Sequence, residues 1–375
     1  MSASIPIILS VLGTRPEAVK MAPVVRALAL HSDRVRSVVV VTGQHRRMLD
    51  QVLDVFPITP DHDLDVMRPD QSLAGLTAAL FVGLDRVISK VGPAWVLAQG
   101  DTTSAFVASM TAYYHGVRFG HVEAGLRTGD KQRPFPEEIN RRIADLVADA
   151  HFAPTERARQ ALLREGCPDA TILVTGNTGI DALLDVAARP YDWSAGPLAA
   201  LPRDRPLVLI TAHRRESFGA AFRDLCLAIR DLAARFEPEG VQFVYPVHLN
   251  PHVRQPVGEL LTGLPNVHLL EPLDYVSLVH LMKRSTLILT DSGGIQEEAP
   301  SFGVPVLVLR ETTERPEGIE AGFAFLVGTQ RARIVDEATR LLREPAAQAS
   351  ATHNPYGDGK AASRIVNYLL ESTRP

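Results

Sequence analysis

Cysteine is scarce in this chain: Cys167 and Cys226 are the only two in 375 residues. Neither belongs to a CxxC pair or to a spacing typical of a metal site, which argues against a disulfide framework and a zinc module. The favoured interpretation is two buried free thiols in a reducing compartment, with a pairing between them left open. We therefore expect a cytoplasmic protein.

The chain also lacks long runs of residues of one type, whether apolar or basic. No apolar stretch approaches the length that spans a membrane. No long basic run occurs and the formal net charge is −4, which argues against nucleic acid as the main partner. The start has no basic segment, and the short apolar run Ile5–Leu12 leads directly into a turn at Gly13. This pattern is typical of a first strand rather than a signal peptide.

The chain does contain a repeated order of apolar strand, polar loop and amphipathic helix. Its length and its 46% hydrophobic residues suffice for two or three domains with sizeable cores. The first series of predicted strands is Ile5–Leu12, Val35–Thr42, Trp95–Gln99, Val117–Glu123 and Ile172–Thr175. The second series is Leu207–Thr211, Val241–Val247, Val267–Leu270, Thr286–Thr290 and Val304–Leu309.

A segment rich in proline and glycine, residues 188–206, separates the two series and predicts an exposed connector, although the hinge could lie earlier, near Gly176. Two runs of alternating strands and helices predict an α/β protein with two Rossmann-like, doubly wound parallel-sheet domains. We place the N-terminal domain at 1–176 and the C-terminal domain at 177–359. Ligands of such sheets bind beyond the carboxyl ends of the strands, so we expect the domains to face a cleft there.

The loop after the first strand, residues 13–20, predicts an anion site. A glycine turn opens a helix whose free amides and positive dipole end attract anions, and Arg15 and Lys20 add two full charges. The alternative is a plain turn with solvated cations. The chain has neither GxGxxG nor GxxxxGK[ST] here, so a dinucleotide fingerprint and a P-loop are not supported.

Three carboxylates follow strands of the first series. Asp101 and Glu123 stand at strand ends, and Glu137 stands in the first turn of a helix opened by Pro136. Two of them have an alternative role by themselves, since Asp101 could cap a helix and Glu137 could complement a helix dipole. Together at one sheet edge they are suited to abstracting and returning a proton. A set of unrelated caps remains the competing interpretation.

Loops of the second series predict a phosphate site. His213, Arg214 and Arg215 follow its first strand, and Arg315 follows a later one. The loop Thr290–Glu298 combines the hydroxyl of Ser292 with Gly293 and Gly294, which let a phosphate reach backbone amides. We expect Glu297 and Glu298 in the first helical turn, with Glu298 on ribose hydroxyls. An ordinary glycine-rich turn and a solvated basic loop are the alternatives. No residue set has convincing metal spacing, so we expect no metal and no cofactor.

These loops closely resemble the non-hydrolysing bacterial UDP-N-acetylglucosamine 2-epimerases. Matching segments run in order over nearly the whole chain. They are GTRPEAVKMAP (13–23), TGQHRRMLDQVL (42–53), QGDTTS (99–104), HVEAGLRTGD (121–130), PFPEEINR (134–141), TGNTGIDAL (175–183), TAHRRESFG (211–219), YPVHLNPHVR (245–254), LTDSGGIQEEAPSFGVPVL (289–307), TTERPE (312–317) and HNPYGDG (353–359).

The resemblance implies a glycosyltransferase-B-like fold, in which a final helix at about 360–375 returns to the first domain. It also implies a homodimer that serves cell-surface polysaccharide synthesis and takes a UDP-amino sugar as substrate. By matched position, Asp101, Glu123 and Glu137 would be the catalytic acids and bases, and Arg15 and Lys20 would bind phosphate or sugar. The residues implied to bind UDP are His213, Ser292, Gly293, Gly294, Glu298 and Arg315.

The implied reaction is reversible inversion at C2 through loss of UDP to a 2-acetamidoglucal and its re-addition. A hydrolysing epimerase that releases N-acetylmannosamine is the first rival. A glycosyltransferase on the same fold is a second rival, but it leaves three carboxylates in one domain unexplained. A nucleotide-sugar sensor without turnover is a third.

Departures from the family pattern occur at its effector site, where regulated members bind a second UDP-N-acetylglucosamine. The matching residues are Gln44, His45, Arg214 and His248. Arg47 stands where regulated relatives carry Gln or Glu, and Asp70 stands where some carry Arg. We therefore hypothesise that effector activation is weakened or absent. Leu278 replaces an aromatic residue that some members place near uracil.

Overall fold

The chain divides into two compact units in the computed structural model, which describes residues 5–43, 46–68, 70–344 and 354–373. Unit 1 comprises residues up to 182 together with residues from 356 onward, and unit 2 comprises residues 183–355. Each unit is a parallel sheet with helices on it, as the alternating strand and helix pattern predicts.

Unit 1 contains a seven-stranded sheet of order β3-β2-β1-β4-β5-β6-β7. Its strands are β1 (Ile7–Leu12), β2 (Arg36–Val41), β3 (His62–Asp63), β4 (Trp95–Gln99), β5 (Arg118–Val122), β6 (Ala150–Ala153) and β7 (Ile172–Val174). Its helices are α1 (Arg15–Ala29), α2 (Arg46–Val55), α3 (Leu73–Val91), α4 (Thr103–Tyr114), α5 (Glu137–Val147), α6 (Glu156–Arg164) and α7 (Thr178–Ala187), the last of which continues into unit 2.

Burial explains why these strands form the centre of unit 1. Every residue of β4 is buried, and the neighbouring β1 is buried from Ile8 onward. Strands covered on both faces are continuous apolar runs rather than alternating ones. Connections from β1 to β3 run toward one edge, whereas those from β3 to β7 run toward the other. Right-handed crossovers therefore place α1 and α2 on one face and α3, α4 and α5 on the opposite face.

Unit 2 contains a six-stranded sheet of order β10-β9-β8-β11-β12-β13. Its strands are β8 (Leu207–Thr211), β9 (Gln242–Pro246), β10 (Val267–Leu270), β11 (Leu287–Thr290), β12 (Val306–Val308) and β13 (Ala324–Leu326). Its helices are α8 (Ala220–Phe236), α9 (Pro251–Leu261), α10 (Tyr275–Arg284), α11 (Gly293–Glu298), α12 (Pro316–Glu320) and α13 (Arg331–Arg343). Every strand pair among the described residues of both units is parallel.

The last helix, α14 (Ala361–Ser372), belongs to unit 1 and packs on α1. The carboxylate of Asp181 accepts hydrogen bonds from the amides of Ala361 and Ala362 at 3.2 and 2.9 Å, which satisfies free donors at the start of α14. Unit 1 extends to residue 182, six residues beyond the predicted boundary at 176. The difference arises because the first half of α7, with Asp181, is bonded to α14.

Candidate active site

Asp101 lies at the carboxyl end of β4, held by an ion pair rather than serving as a cap. Its Oδ2 is 2.5 Å from a guanidinium nitrogen of Arg141, and its backbone carbonyl accepts from Asn140 at 3.0 Å. The cap of α4 is Thr102, whose hydroxyl accepts from the amide of Ala105 at 3.3 Å. The alternative in which Asp101 caps this helix is therefore wrong. Arg141 and Asn140 both belong to α5, which ties Asp101 to that helix.

Glu123 lies at the end of the neighbouring strand, β5, and its carboxylate is surrounded by donors. Lys20 forms an ion pair with Oε2, Asn177 donates to Oε2 at 3.1 Å, and Gln99 donates to Oε1 at 2.9 Å. Because β4 and β5 are adjacent and parallel, the loops that carry Asp101 and Glu123 leave the same sheet edge. Glu123 has a φ of 68°, a left-handed conformation that costs a non-glycine residue free energy and is found at functional turns.

Glu137 is the first residue of α5, as the preceding Pro136 predicts. Its Oε2 is buried and has no hydrogen-bond partner among the described residues. A buried carboxylate oxygen without a partner is costly, and such atoms are frequent at sites that receive a ligand. The helix carries Glu137 one turn before Arg141, the partner of Asp101. The three carboxylates thus stand on β4, β5 and α5, which are linked by direct contacts.

The start of α1 supplies Lys20 but is partly closed to anions. Arg15 is the first residue of this helix and is half-buried. Glu17 is buried, and its carboxylate accepts from the amide of Thr14 at 2.5 Å and from the hydroxyl of Thr102 at 2.6 Å. One donor at the helix start is therefore already used inside the chain. Burial raises the pKa of Glu17 to about 7.

In unit 2, Asp291 organises the loop that carries His213 and Arg214. Its buried carboxylate accepts from the amide of His213 at 2.6 Å and from that of Arg214 at 2.7 Å. The ring of His213 stacks on that of His248 with centroids 5.1 Å apart. Burial lowers the pKa of His213, although the nearby Asp291 opposes this shift. The predicted residue His213 therefore stands at the carboxyl end of β8, beside β11.

The glycine-rich loop after β11 has a specific steric requirement. A Cβ at Gly293 would clash with the guanidinium of Arg315, whereas one at Gly294 would meet no described atom within 4 Å. Gly293 therefore makes room for Arg315, and Gly294 borders open space through which a phosphate could reach the helix start. Arg315 donates to the buried Glu297 at 2.7 Å and also pairs with Glu314. Ser292 precedes α11 as its N-cap residue.

The expectation that Glu297 and Glu298 lie in the first turn of this helix is wrong. The α-helical segment α11 spans only six residues and ends at Glu298, after which the chain tightens into a 3₁₀ turn that contains Pro300. Proline cannot continue the α-helical hydrogen-bond pattern, which accounts for the early end. Glu298 is half-buried at this position.

The residues that match the family's effector site are described only in part. Gln44 and His45 lie outside the described residues. Arg214 and His248 lie together with His213 in unit 2, where the His248 ring nitrogen Nδ1 accepts from the amide of Asn250 at 3.1 Å. Asp70 is exposed with a φ of 53°, and Leu278 is half-buried on α10.

Several residues that shape the site were not predicted. Gln99, Arg141 and Asn177 contact the candidate carboxylates, and Asp291 holds the loop of His213. All four belong to the matched segments. Arg141 stands four residues after Glu137, a spacing that places both on one helix face and could have identified it.

Two further classes of site can be addressed for the described part of the chain. It holds no group of three or more His, Cys, Asp or Glu residues arranged to bind a metal ion. Nor does any of its helices combine the length and apolar character needed to cross a membrane. Cys167 and Cys226 are free thiols, as the favoured interpretation predicts, but only Cys226 is buried, whereas Cys167 is half-buried.

Comparison with known proteins agrees with this architecture over nearly the full length. A family model described as UDP-N-acetylglucosamine 2-epimerase matches residues 28–370. The UDP-N-acetylglucosamine 2-epimerase of Yersinia pestis is 52% identical over 370 residues, covering 96% of this chain and 98% of that protein. The corresponding Bacillus subtilis enzyme is 48% identical, covering 97% and 94%.

A solved structure shows the same likeness in three dimensions. The UDP-GlcNAc 2-epimerase from Neisseria meningitidis, bound to UDP-GlcNAc, is 44% identical with a TM-score of 0.88, covering 97% of this chain and 100% of that one. The two parallel-sheet domains therefore have the glycosyltransferase-B-like fold of these enzymes. With the family model matched from residue 28 to residue 370, this chain belongs to the UDP-N-acetylglucosamine 2-epimerase family.

Proposed function

We propose that this chain inverts C2 of UDP-N-acetylglucosamine to give UDP-N-acetylmannosamine, reversibly and without releasing free sugar. The observation that carries the proposal is the set Asp101, Glu123 and Glu137 at one sheet edge of unit 1, in a chain of the epimerase family. A structure of the Neisseria meningitidis relative is bound to UDP-GlcNAc, which supports the choice of substrate.

The chemistry of the sugar requires more than one acid or base. The hydrogen on C2 is not acidic because C1 carries no carbonyl. Its removal must accompany cleavage of the bond between C1 and the diphosphate oxygen, which gives UDP and a 2-acetamidoglucal with a C1–C2 double bond. UDP then adds back to C1 while a proton reaches C2 from the opposite face. Two faces need at least two proton-transfer groups, which the three carboxylates supply.

The leaving diphosphate needs electrostatic stabilisation, which we assign to cations and helix amides. In unit 2, His213, Ser292, Gly293, Gly294 and Arg315 would bind the diphosphate, and Glu298 would accept from ribose hydroxyls. In unit 1, Arg15 and Lys20 would contact phosphate or sugar. The open space at Gly294 and the position of Arg315 against α11 support this assignment. We assign no carboxylate to a particular face of C2.

Incubation with UDP-N-acetylglucosamine in D2O tests the proposal directly. We expect NMR to show both epimers, deuterium at C2 and no accumulation of free N-acetylmannosamine. Accumulation of N-acetylmannosamine and UDP in equal amounts would favour a hydrolysing epimerase instead. Absence of deuterium at C2 would contradict epimerisation altogether and favour a sensor.

We also propose that the chain is a cytoplasmic homodimer. Its two free thiols suit a reducing compartment. An exposed apolar surface on α3, α4 and α5 supports a second copy as partner; we call it the α3–α5 patch and define it as Val82, Tyr113, Tyr114 and Leu146. These residues are 53%, 63%, 68% and 81% exposed. The rings of Tyr113 and Tyr114 lie 6.2 Å apart, and Tyr113 and Leu146 line the same surface cavity. Contiguous exposed apolar surface of this kind can mark an interaction site.

A further inference from the structure

His121 and Asp145 form a buried ion pair close in sequence to the loops that carry Asp101 and Glu123. The side chain of His121, on β5, is wholly buried, and Asp145, on α5, is nearly so. Nδ1 of His121 is 2.5 Å from Oδ1 of Asp145, and Nε2 is 2.7 Å from the backbone carbonyl oxygen of Gly100. A carbonyl can only accept, and so can an ionised carboxylate. Both ring nitrogens therefore donate, which makes His121 an imidazolium.

Asp145 extends the connection to a second loop. Its Oδ2 accepts from the amide of Gly125 at 3.2 Å and from Arg127 at 2.7 Å. Arg127 is held in turn by Glu165. Both carboxylate oxygens of Asp145 are thus used, one toward β5 and one toward the loop that follows it.

The two backbone groups held by the pair are next to the candidate acids. Gly100 precedes Asp101 and has a φ of 77°, and Gly125 follows Glu123 by two residues with a φ of 88°. Glu123 itself has a φ of 68°. Turns in this region are strained for a residue such as Glu123 and persist only where surrounding contacts determine them. The contacts from His121 and Asp145 are of this kind.

We propose that His121 and Asp145 form a positioning pair for epimerisation: through Gly100 they fix Asp101, and through Gly125 they fix Glu123, both relative to the helix that begins with Glu137. The inference rests on the proposed function, since it concerns the same reaction. Neither residue contacts the sugar in this role. Small displacements of acid and base groups cost large factors in rate, so such a pair acts on turnover rather than on binding.

The electrostatic surroundings of His121 and Asp145 favour their charged forms. Burial by itself would lower the pKa of His121, but the charge and hydrogen bond of Asp145 outweigh it and raise the pKa. Burial opposes ionisation of Asp145 as well, yet His121, Arg127 and His151 together lower its pKa to about 2. Both shifts favour the charged forms that make the hydrogen bonds between His121, Asp145 and Gly100.

Two substitutions separate the hydrogen bonds of His121. The amide nitrogen of glutamine reaches the place of Nε2, so His121→Gln keeps a donor for Gly100 and loses the one for Asp145. Asparagine places its amide nitrogen near Nδ1, so His121→Asn keeps the bond to Asp145 and loses that to Gly100. Both remove the same charge, and each breaks one of the two bonds by which His121 connects Gly100 to Asp145.

We expect kcat of both His121→Asn and His121→Gln to fall at least about tenfold with KM changed less than about threefold, because either break separates Gly100 from the helix that carries Asp145. A wild-type kcat in either folded variant would overturn the positioning role.

A second variant keeps the inference testable if those proteins do not fold. Asp145→Asn can donate to a neutral His121, which then keeps its bond to Gly100, so kcat should stay within about threefold of the wild type. A loss of about tenfold or more in folded Asp145→Asn would overturn the inference. Failure of the wild type to exchange deuterium into C2 would instead contradict the proposed function, which keeps the two failures distinct.

Discussion

Glu17 combines deep burial with two hydrogen bonds, and its carboxylate is only 2.6 Å from the hydroxyl of Thr102, the neighbour of Asp101. Burial raises its pKa from 4.5 to about 7, despite the opposing bonds from Thr102 and Thr14 and with a further contribution from Asp101. A group whose pKa is raised on folding stabilises the fold below its unfolded value. That contribution is lost as the pH rises toward 7.

We therefore predict that unit 1 loses up to about 3 kcal/mol of unfolding free energy between about pH 4.5 and pH 8 through Glu17 alone. Glu17→Gln cannot ionise and should remove this part of the pH dependence. The chain has two tryptophans, Trp95 in unit 1 and Trp193 in unit 2. In a Trp193→Phe background, the fluorescence of Trp95 during urea unfolding reports on the unfolding of unit 1 alone. Parallel pH profiles with and without Glu17 would contradict the prediction.

The three candidate acids give the next prediction at this scale. Asp101→Asn, Glu123→Gln and Glu137→Gln should each lower kcat at least about 100-fold, because a proton-transfer group contributes about that much or more. Calorimetry should show UDP affinity largely unchanged, since most of the proposed UDP contacts lie in unit 2.

The matched control for these variants is Glu156→Gln, which neutralises a carboxylate that is 62% exposed on α6 and paired with Arg159. Its turnover should equal that of the wild type. Full activity in all three acid variants would refute the catalytic assignment. Loss of UDP binding in parallel with turnover would point to a general defect.

Among the elements, α14 depends on a contact that is distant in sequence. Lys360 precedes the helix and forms no side-chain cap, whereas Asp181 on α7 accepts from its first two amides. Tyr368 of α14 packs edge-on against Trp95, with ring centroids 6.3 Å apart. The same tryptophan therefore reports on the docking of this helix.

We predict that Asp181→Ala lowers the unfolding free energy of unit 1 by about 1–3 kcal/mol, because two backbone donors lose a charged acceptor. Asp85→Ala is the control: its carboxylate is 62% exposed and pairs with His115 at 2.8 Å. That surface pair should contribute less than about 1 kcal/mol. Equal losses in the two variants, measured by urea unfolding of Trp95, would show that Asp181 does not secure α14.

The strands show how far the sequence predicts such elements. Trp95–Gln99, Leu207–Thr211 and Val267–Leu270 are observed with the predicted bounds, because buried parallel strands are continuous β-rich runs between turn residues. The other predicted strands are one or two residues too long at one or both ends. The three unpredicted strands β3, β6 and β13 have two, four and three residues, too few for a recognisable pattern.

The sequence predicts the candidate acids but not the residues that contact them and hold them in place. Asp101 and Glu123 follow strands, where the fold class predicts chemistry. Arg141 and Asn177 contact those acids from distant segments, and His121 lies within a strand as an apparently ordinary core residue. The spacing from Glu137 places Arg141 on the right helix face, but no local period encodes its contact with Asp101 or the contacts of Asn177 and His121, since these arise only when β4, β5 and α5 assemble.

For the whole molecule, the α3–α5 patch makes the proposed homodimer testable. Leu146 is 81% exposed, so Leu146→Glu should cost unit 1 little stability but place a charge in an apolar interface. We predict that the wild-type protein sediments as a dimer. The dissociation constant of the Leu146→Glu dimer should be at least about tenfold higher than that of the wild-type dimer. Analytical ultracentrifugation over a dilution series measures both.

Leu30 offers a matched control, because it is 82% exposed but follows α1, on the opposite face of the sheet from α3, α4 and α5. Leu30→Glu makes the same chemical change at nearly the same exposure and should leave the dimer intact. A shift in both variants would indicate a general effect of added charge. Burying an unpaired glutamate in an apolar interface costs free energy. A wild-type monomer, or a dimer that Leu146→Glu leaves unchanged, would therefore exclude this patch as the interface.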